Sequence, residues 1–384
     1  MKTTVCHMTS VHHVSDPRIF LKECGSLARA GFETYLIAPH HQVETIRDVH
    51  IIPFRRFKRR LFRILFSPYV MLAKGLKVKA AIYHLHDPEL QITGFFLKLL
   101  GRRVVFDSHE MVHMDLGDKY YLKGGLAKKI IPALYRSVEA LAIRFFDGFV
   151  LAEDGYKNYF FSKHHRYRGK FEFLRNYPLL RLIDSIQPSS NGTGVLAAVY
   201  AGKLSYNRGI KELVGAAGQL DGSLEVRLIG QWENENIRRE CMDLPGWRFV
   251  EYLGFLPPDE VYRHMKGADI GMCALYPVPN YMVSLPVKAL EYMACGLPMV
   301  MSDFPVWRGM FTAGAVFVDP LDEESIASAL RDLIQHPDRR SALKEQGRRL
   351  VESEMSWEIE EKKLLDMYDK ILKRPGNRRE ENHD

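Results

Sequence analysis

The sequence predicts an α/β protein built from two doubly wound, Rossmann-like domains. Three observations predict this class: the chain length, the alternation of short apolar runs with amphipathic stretches, and the restart of that alternation after a polar segment. A chain of 384 residues, 46% of them hydrophobic, is too long for one compact core and long enough for two. Strand–helix–strand repetition is typical of a parallel sheet with helices on both faces.

The first series of predicted strands lies at 3–10, 34–40, 82–86, 103–109 and 148–153. Two of the stretches between them begin with Asp-Pro and end in Gly. Asp caps the free amides of a helix, Pro fits its first turn, and Gly takes a left-handed exit, so both stretches are predicted helices. We assign residues 1–177 to an N-terminal domain.

The second series follows a segment near 178–194 that is rich in Pro, Ser, Asn and Gly. Its predicted strands are 196–202, 224–230, 249–254, 269–275, 298–303 and 315–320. The C-terminal domain is therefore assigned to 178–355, followed by a helix at 356–373 and a polar tail at 374–384 that we expect to be disordered. Ligands bind beyond the carboxyl ends of such strands, so we expect a site in a cleft between two facing domains.

Charge and cysteine content exclude several classes of protein. The formal net charge is +7, a mild excess that favours anionic partners. The five cysteines are scattered and lack any CxxC pairing, which argues against a disulfide framework or a zinc site.

Neither the apolar core of a signal peptide nor an apolar run long enough to span a membrane is visible in the sequence. We therefore expect a cytoplasmic protein.

The stretch YMVSLPVKALEYMACGLPMV, residues 281–300, predicts a short helix from Pro286 to about Ala294. Ser284, Lys288 and Glu291 fall on one helical face. Free amides at the helix start attract a pyrophosphate, Lys288 adds charge, and Glu291 can accept hydrogen bonds from two vicinal hydroxyls such as those of a ribose. The alternative is a capped helix with Lys288 and Glu291 as a surface pair.

A second candidate site is YAGKLSYNRGIKEL, residues 200–213, where a strand ends at Gly202. Lys203 follows the strand, and Arg208 lies just before the next helix. Two cations at a strand-to-helix turn suit a diphosphate, Arg through its bidentate fork and Lys as a point charge. Basic residues are also common after strands without any ligand.

Polar residues also follow the strands of the first domain. His109, after the strand at 103–109, either contacts a substrate hydroxyl or is a structural histidine. His84, His86 and Asp87 have the spacing of a metal motif, but we interpret Asp87 as a helix cap, see no supporting third imidazole, and expect no metal. The residues assigned to the acceptor side are His12, His13, Asp16, His86 and Glu110.

Residues 54–66, FRRFKRRLFRILF, are strongly basic, and their apolar side chains share one face if the stretch is helical. This pattern is typical of a helix lying on an anionic membrane surface, although a solvated basic face is the alternative. Nucleic-acid motifs are missing, so no nucleic-acid partner is expected. The residues assigned to the membrane surface are Arg56, Arg59, Arg60 and Arg63.

Together these stretches resemble the retaining family-4 glycosyltransferases of the GT-B fold over nearly the whole chain. The most specific stretch, 285–303, is similar to the nucleotide-sugar helix of that family. Residues 9–40 and 83–90 are similar to the opening of the subgroup that builds bacterial surface polysaccharides. Residues 201–213 resemble the donor-diphosphate turn, and SWE at 356–358 resembles the start of the helix that crosses back onto the N-terminal domain.

The resemblance implies transfer of a sugar from a nucleoside-diphosphate sugar, with UDP-sugar as the expected donor, to a glycan or lipid-linked acceptor of cell-surface polysaccharide. It also implies retention of the anomeric configuration, no metal or other cofactor, and a peripheral position on the inner face of the cell membrane. The implied catalytic residues are His109, Lys203 and Arg208, and the implied donor contacts are Gly202, Ser284, Leu285, Pro286, Lys288 and Glu291.

One departure from the family pattern is Val283, which stands where the family has the first of two glutamates eight positions apart. Its presence leaves the identity of the sugar open. Two other functions stay open as well: a nucleotide-sugar epimerase of GT-B shape, and a non-catalytic nucleotide-sugar-binding partner subunit. Glycoside hydrolysis fits poorly, because no pair of carboxylates flanks an evident glycosidic site.

Overall fold

The computed structural model describes residues 2–108, 125–152, 157–190 and 194–374. The chain divides into two compact units. The first runs to Asn176 and also contains the segment from Ile359 onwards, and the second is Tyr177–Glu358. The predicted histidine segment (His109 and Glu110) and the predicted tail beyond Arg374 lie outside the described residues.

The first unit is built on one eight-stranded sheet. Its strands are Thr4–Met8 (β1), Glu33–Pro39 (β2), Glu44–Ile46 (β3), Val49–Phe54 (β4), Ile82–Leu85 (β5), Arg103–Ser108 (β6), Gly148–Leu151 (β7) and Phe171–Phe173 (β8). Their order is β3-β4-β2-β1-β5-β6-β7-β8, and all neighbours are parallel except β3 and β4. The carboxyl ends of the parallel strands therefore meet at one edge.

Helices flank this sheet and bury its apolar residues. They are Pro17–Cys24 (α1), Gly25–Arg29 (α2), Arg60–Val78 (α3), Gln91–Leu99 (α4), Gly125–Phe145 (α5) and Lys157–Lys163 (α6). Asp16 caps α1, because its Oδ1 accepts from the backbone amides of Arg18 and Ile19, each at 3.0 Å. Both predicted Asp-Pro helices are followed by a glycine with positive φ, Gly31 and Gly101, as expected for left-handed exits.

The second unit has a six-stranded parallel sheet. Its strands are Leu196–Ala201 (β9), Leu224–Ile229 (β10), Val250–Gly254 (β11), Ile270–Cys273 (β12), Met299–Ser302 (β13) and Ala315–Val318 (β14). Their order is β11-β10-β9-β12-β13-β14. Strand β9 lies between β10 and β12, so the chain leaves β9 towards one edge of the sheet and then crosses over to build the other. Such switch points in the strand order are where α/β sheets bind ligands.

The helices of the second unit cover both faces of that sheet. They are Leu180–Ser185 (α7), Ile210–Gln219 (α8), Glu235–Met242 (α9), Pro258–Lys266 (α10), Pro279–Val283 (α11), Val287–Ala294 (α12), Pro305–Phe311 (α13), Glu323–Gln335 (α14) and Pro337–Glu354 (α15). A last helix, Trp357–Lys373 (α16), begins two residues before the unit boundary and continues in the first unit.

The predicted α/β class with two doubly wound parallel sheets is confirmed, and each predicted strand has a counterpart. Strands β3, β4 and β8 were not predicted. Two of them have only three residues, too few to show a period-two pattern. Helix α7 was also not predicted, because the polar residues around it are typical of a linker. Leu180 and Ile183 of this helix nevertheless pack into the core of the second unit.

Two local predictions were wrong. The basic stretch 54–66 is not one helix: Phe54 ends β4, and α3 begins only at Arg60. Asp87 is not a side-chain cap, since its carboxylate instead accepts from Thr9 Oγ1 at 2.8 Å and from the Ser10 amide at 2.6 Å. Asp87 therefore fixes the loop after β1 to the loop after β5, which no local pattern in the sequence indicates.

Candidate functional site

Helix α12 is held against the end of β9 by side chains that the sequence analysis did not single out. The Ala201 amide donates to the Tyr292 hydroxyl at 3.0 Å, and Trp307 Nε1 donates to the Ser284 carbonyl at 2.8 Å. Tyr292 and Trp307 are both fully buried. The first contact places α12 beside the end of β9, and the second ties the segment 284–286, predicted to bind the donor, to α13.

Lys288 is the most unusual charged group in this region. Its Nζ is buried, lies 3.8 Å from the centroid of the Tyr200 ring, and has no hydrogen-bond partner within the described chain. Burial lowers the pKa of Lys288 to about 7, and the Arg208 guanidinium contributes to the same shift. The alternative of a surface Lys288–Glu291 pair is therefore wrong, because the amine lies inside the fold.

Gly202 makes room for this amine. A Cβ at Gly202 would lie 3.2 Å from Lys288 Nζ, and its φ of +136° is strained for any other residue. The end of β9 and the first turn of α12 thus form one small basic site, which the sequence analysis predicted only as two separate stretches.

Lys203 and Arg208 flank the same strand end. The Arg208 guanidinium lies over the Tyr281 ring, 4.7 Å from its centroid, a cation–π contact that holds the side chain in place. Lys203 Nζ pairs with Glu233 Oε1 at 2.5 Å, and its side chain is 56% exposed. Arg208 is therefore already positioned to bind a diphosphate, whereas Lys203 would first have to break its ion pair with Glu233.

Glu291 lies one turn beyond Lys288 and is half-buried. Its Oε1 accepts from the Tyr262 hydroxyl at 2.9 Å. Burial, followed by the Glu291 charge, raises the pKa of Tyr262 well above its usual range, so this tyrosine stays a donor at neutral pH. The hydroxyl fixes one carboxylate oxygen, an arrangement that suits a carboxylate that binds a diol.

The acceptor-side residues predicted in the first unit have structural contacts of their own. His12 Nδ1 lies 3.2 Å from Asp16 Oδ2, and that hydrogen bond raises the pKa of His12. His13 is exposed, with its Nδ1 2.9 Å from Ser15 Oγ. The ring of His86 is buried and offers no surface to an acceptor, which argues against its assignment to the acceptor side. Contact of His12, His13 and Asp16 with an acceptor stays a prediction.

The basic segment is only partly as predicted. Arg56, Arg59 and Arg60 are exposed, but Arg63 Nε pairs with the largely buried Glu89 at 2.7 Å and is only 17% exposed, so Arg63 belongs to the fold and not to a membrane-facing set. No described helix has the length and apolarity needed to cross a bilayer.

Comparison with known proteins agrees with this geometry. Residues 185–350 match the model of the family described as Glycosyl transferases group 1, and this segment contains β9, α12 and every donor contact predicted from the sequence. Over that range the second unit is thus similar to a group 1 glycosyl transferase domain.

Two curated relatives are mannosyltransferases, matched over parts of their length. The O-antigen chain mannosyltransferase RfbU of Salmonella typhimurium is 40% identical over 52 residues, 14% of this chain and 15% of the relative. A GDP-mannose-dependent monoacylated alpha-(1-6)-phosphatidylinositol monomannoside mannosyltransferase of Corynebacterium glutamicum is 29% identical over 154 residues, 39% of this chain and 40% of the relative. The matches thus span less than half of either relative.

Solved structures match almost the whole chain. Sucrose-phosphate synthase from Thermosynechococcus elongatus has a TM-score of 0.71 at 16% identity, covering 97% of this chain and 99% of that one. Anabaena HepE in complex with UDP-glucose has a TM-score of 0.66 at 11% identity, covering 96% and 99%. At such identities the likeness establishes the fold, and the predicted GT-B class is confirmed.

Proposed function

We propose that this protein transfers a sugar from a nucleoside-diphosphate sugar to an acceptor hydroxyl, with retention of the anomeric configuration. The observation that carries this proposal is the buried, unpartnered Lys288 amine, which lies at the topological switch point of the matched domain. An anion at that site would supply the missing partner. A diphosphate suits it because Arg208 follows the same strand and Lys288 extends from the first turn of α12, where free amides also favour an anion.

In this proposal positively charged side chains that are already held in place stabilise the leaving diphosphate. Negative charge grows on the diphosphate as the bond to the sugar breaks. Lys288 and Arg208 are held in place by contacts with Tyr200 and Tyr281, so little reorganisation is needed when that charge develops. These cations make a metal ion at the diphosphate unnecessary, and Glu291 would accept the ribose hydroxyls.

The nucleotide base is the first point to test. The sequence resemblance favours UDP, whereas one curated relative is GDP-mannose-dependent. We expect a saturating cognate sugar nucleotide, among UDP-, GDP- and ADP-sugars, to raise the melting temperature by about 5 °C or more, because a ligand that binds only the native state stabilises it. Differential scanning fluorimetry measures the shift, with the free monosaccharides as the control. No shift with any sugar nucleotide would contradict the proposal.

A sensor or partner subunit is the second candidate function, and Val283 favours it. This side chain is 73% exposed at the end of α11, where the family pattern has a glutamate near the donor sugar. Product analysis after incubation with donor and acceptor separates the functions. Release of nucleoside diphosphate with a new glycoside supports transfer, isomerised donor indicates an epimerase, and binding without turnover indicates a sensor.

We further propose a glycan or lipid-linked acceptor that is met at an anionic membrane surface. Helices α3 and α4 expose an apolar patch, which we call the aromatic patch: Leu61, Phe62, Leu65, Phe66, Tyr69, Phe96 and Leu99. Tyr69 and Phe96 join the two helices, with ring centroids 6.2 Å apart. Basic residues precede the patch directly along the chain, and this combination is typical of interfacial binding.

Neutralising Arg56, Arg59 and Arg60 to glutamine is expected to weaken binding to vesicles rich in anionic lipid by about tenfold or more, since each basic residue near such a surface contributes about 1 kcal/mol. Vesicle sedimentation measures the partition. The matched control removes the same charge from exposed residues of the second unit, Arg239, Arg248 and Arg349. Equal losses in the two triple variants would show that total charge, not this surface, drives binding.

A further inference from the structure

Three histidines and one glutamate converge in the core of the first unit. This group, the histidine cluster, consists of His7 on β1, His84 on β5, His86 just after β5, and Glu23 on α1. All four side chains are fully buried, and each offers a ligand atom within 4.8 Å of the others. His7 and His84 are direct partners in the β1–β5 register, and His86, two residues on, points to the same face.

The ligand atoms of the cluster lie close enough together to converge on one metal ion. His7 Nδ1 lies 2.9 Å from His86 Nε2. Glu23 Oε2 lies 3.8 Å from His7 Nδ1 and 3.9 Å from both His84 Nδ1 and His86 Nε2. Ligand atoms of a tetrahedral zinc ion with bonds of about 2.05 Å are about 3.3 Å apart, which falls between these values.

The cluster without a cation leaves a carboxylate poorly satisfied. No donor among the described residues is hydrogen-bonded to either oxygen of Glu23, although Arg18 Nε lies 3.3 Å from Oε1 and a protonated Glu23 would share a hydrogen bond with Asp107. The single Arg18 guanidinium faces two buried carboxylates, those of Glu23 and Asp107. A buried carboxylate without a donor costs several kcal/mol unless a cation or a proton neutralises it.

The three imidazole rings of the cluster pack against one another. Ring centroids of His7, His84 and His86 lie 4.6 to 5.1 Å apart, close enough for all three rings to serve one ion.

Outer groups orient the rings as they do around bound metals. His86 Nδ1 lies 3.5 Å from Asp107 Oδ2, and Arg18 holds that carboxylate through two contacts of 3.2 Å. The Tyr368 hydroxyl on α16 lies 3.2 Å from His7 Nε2, the nitrogen opposite the one that faces Glu23. It also lies 2.8 Å from His84 Nδ1, so His84 would exchange this partner for the ion. Carboxylate and hydroxyl partners on the far nitrogen, as at His86 and His7, are typical of metal-ligating histidines.

We propose that the histidine cluster is a structural metal site that binds one divalent transition ion of the zinc class through His7, His84, His86 and Glu23. Four protein ligands complete a tetrahedral shell, which is the pattern of a structural zinc ion and leaves no open position for catalysis. The ion would tie β1, β5 and α1 together. This proposal is independent of sugar transfer, and it replaces the expectation from the sequence that HLHDPEL binds no metal.

The third imidazole was not recognised from the sequence because it lies far away in the chain. His7 lies 77 positions before His84, and only the pairing of β1 with β5 brings them together. Full burial of the cluster also means that the ion must enter while the unit folds. A chelator should therefore act on the refolding chain and hardly on the native protein.

The test uses the full chain without a histidine tag, expressed with added zinc and also refolded with Zn²⁺, with Co²⁺, or with EDTA. We expect about one zinc ion per chain by inductively coupled plasma mass spectrometry, and visible ligand-field bands of four-coordinate cobalt after refolding with Co²⁺. Refolding in EDTA should lower the melting temperature. Wild-type protein that folds without metal, melts at the same temperature with and without zinc, and shows no cobalt bands would overturn the proposal.

Glu23→Gln separates a metal site from a metal-free network. Glutamine resembles a protonated glutamate in shape and charge, so a network without metal would tolerate it, whereas a zinc site should lose at least about tenfold in metal content. His50→Gln, on the same sheet but outside the cluster, is the matched control and should keep its zinc. Equal zinc content in wild type and Glu23→Gln would show that the metal binds elsewhere. If Glu23→Gln fails to fold, the cobalt spectrum of the wild-type protein tests the proposal: bands of four-coordinate cobalt support it, and their absence contradicts it.

Discussion

Lys288→Met is expected to lower turnover by about 10²- to 10³-fold, the usual cost of removing one preorganised group that stabilises developing negative charge. In the proposed function the buried amine stabilises the leaving diphosphate, and methionine fills a similar volume without charge. Steady-state release of nucleoside diphosphate measures the loss. Lys344→Met, an exposed lysine in the same unit, is the matched control and should keep wild-type turnover.

The same substitution is expected to stabilise the ligand-free protein at neutral pH. Burial holds the pKa of Lys288 at about 7, below the ordinary value of 10.5. Between these values the unfolded chain binds more protons than the folded one, so the free energy of unfolding rises with pH from about 7 to about 10.5. Below pH 7 the full cost of the buried amine remains, a few kcal/mol at most.

Urea unfolding at pH 7 and pH 9 measures this effect. The wild-type protein should gain more stability between the two pH values than Lys288→Met, and the variant should be the more stable protein at pH 7. A variant that is inactive and also less stable would indicate a structural role for Lys288. Wild-type turnover in a folded Lys288→Met variant would remove this residue from the donor site.

Glu291→Ala is expected to lower kcat/KM for the sugar nucleotide by about 10- to 100-fold, because hydrogen bonds to a charged acceptor contribute about 1.5–3 kcal/mol. The carboxylate would bind the ribose, so the variant should lose affinity for nucleoside diphosphate and keep its affinity for inorganic pyrophosphate. Lys288→Met should lose affinity for both. Isothermal titration calorimetry with the two ligands distinguishes the roles.

Two controls make the Glu291 result interpretable. Glu345→Ala removes an exposed glutamate from α15, 66% exposed and paired with Arg349, and should leave binding unchanged. Tyr262→Phe removes only the hydroxyl that positions Glu291 Oε1. We therefore expect a smaller loss of affinity for nucleoside diphosphate, again with unchanged affinity for pyrophosphate. If Glu291→Ala lost affinity for pyrophosphate to the same extent, the carboxylate would act on the charge of the site and not on the ribose.

Local sequence patterns predicted the regular elements well where they are long and periodic. Strand β9 ends where the apolar run before Gly202 ends, and helix α12 lies between the two prolines that bound its pattern. Patterns failed where a segment mixed two elements. The apolar residues of the basic stretch 54–66 would share one face of a helix, yet Phe54 is the last residue of β4 and lies opposite Pro39 of the parallel strand β2. Strand pairing outweighs local helix propensity there, because it satisfies backbone groups of a buried strand.

Charge partners were beyond the reach of local patterns. Lys288 and Lys203 are both lysines in predicted donor stretches, but one is buried over Tyr200 and the other pairs with Glu233. Arg63 belongs to a basic run yet pairs with Glu89, 26 positions later. Residue type and spacing identify such groups as charged, whereas their partners depend on which elements pack together.

The sequence by itself determined the two parallel α/β sheets, the strand end at Gly202 and the helix that carries Lys288 and Glu291, because short-range periodicity and capping residues specify each element where it stands in the chain. Only the tertiary structure decided that Lys288 is buried without a partner, that Asp87 fixes a loop, and that His7 meets His84 and His86. These three outcomes depend on contacts between residues far apart in the chain. Burial then sets the cost of each charge, and no local pattern contains that information.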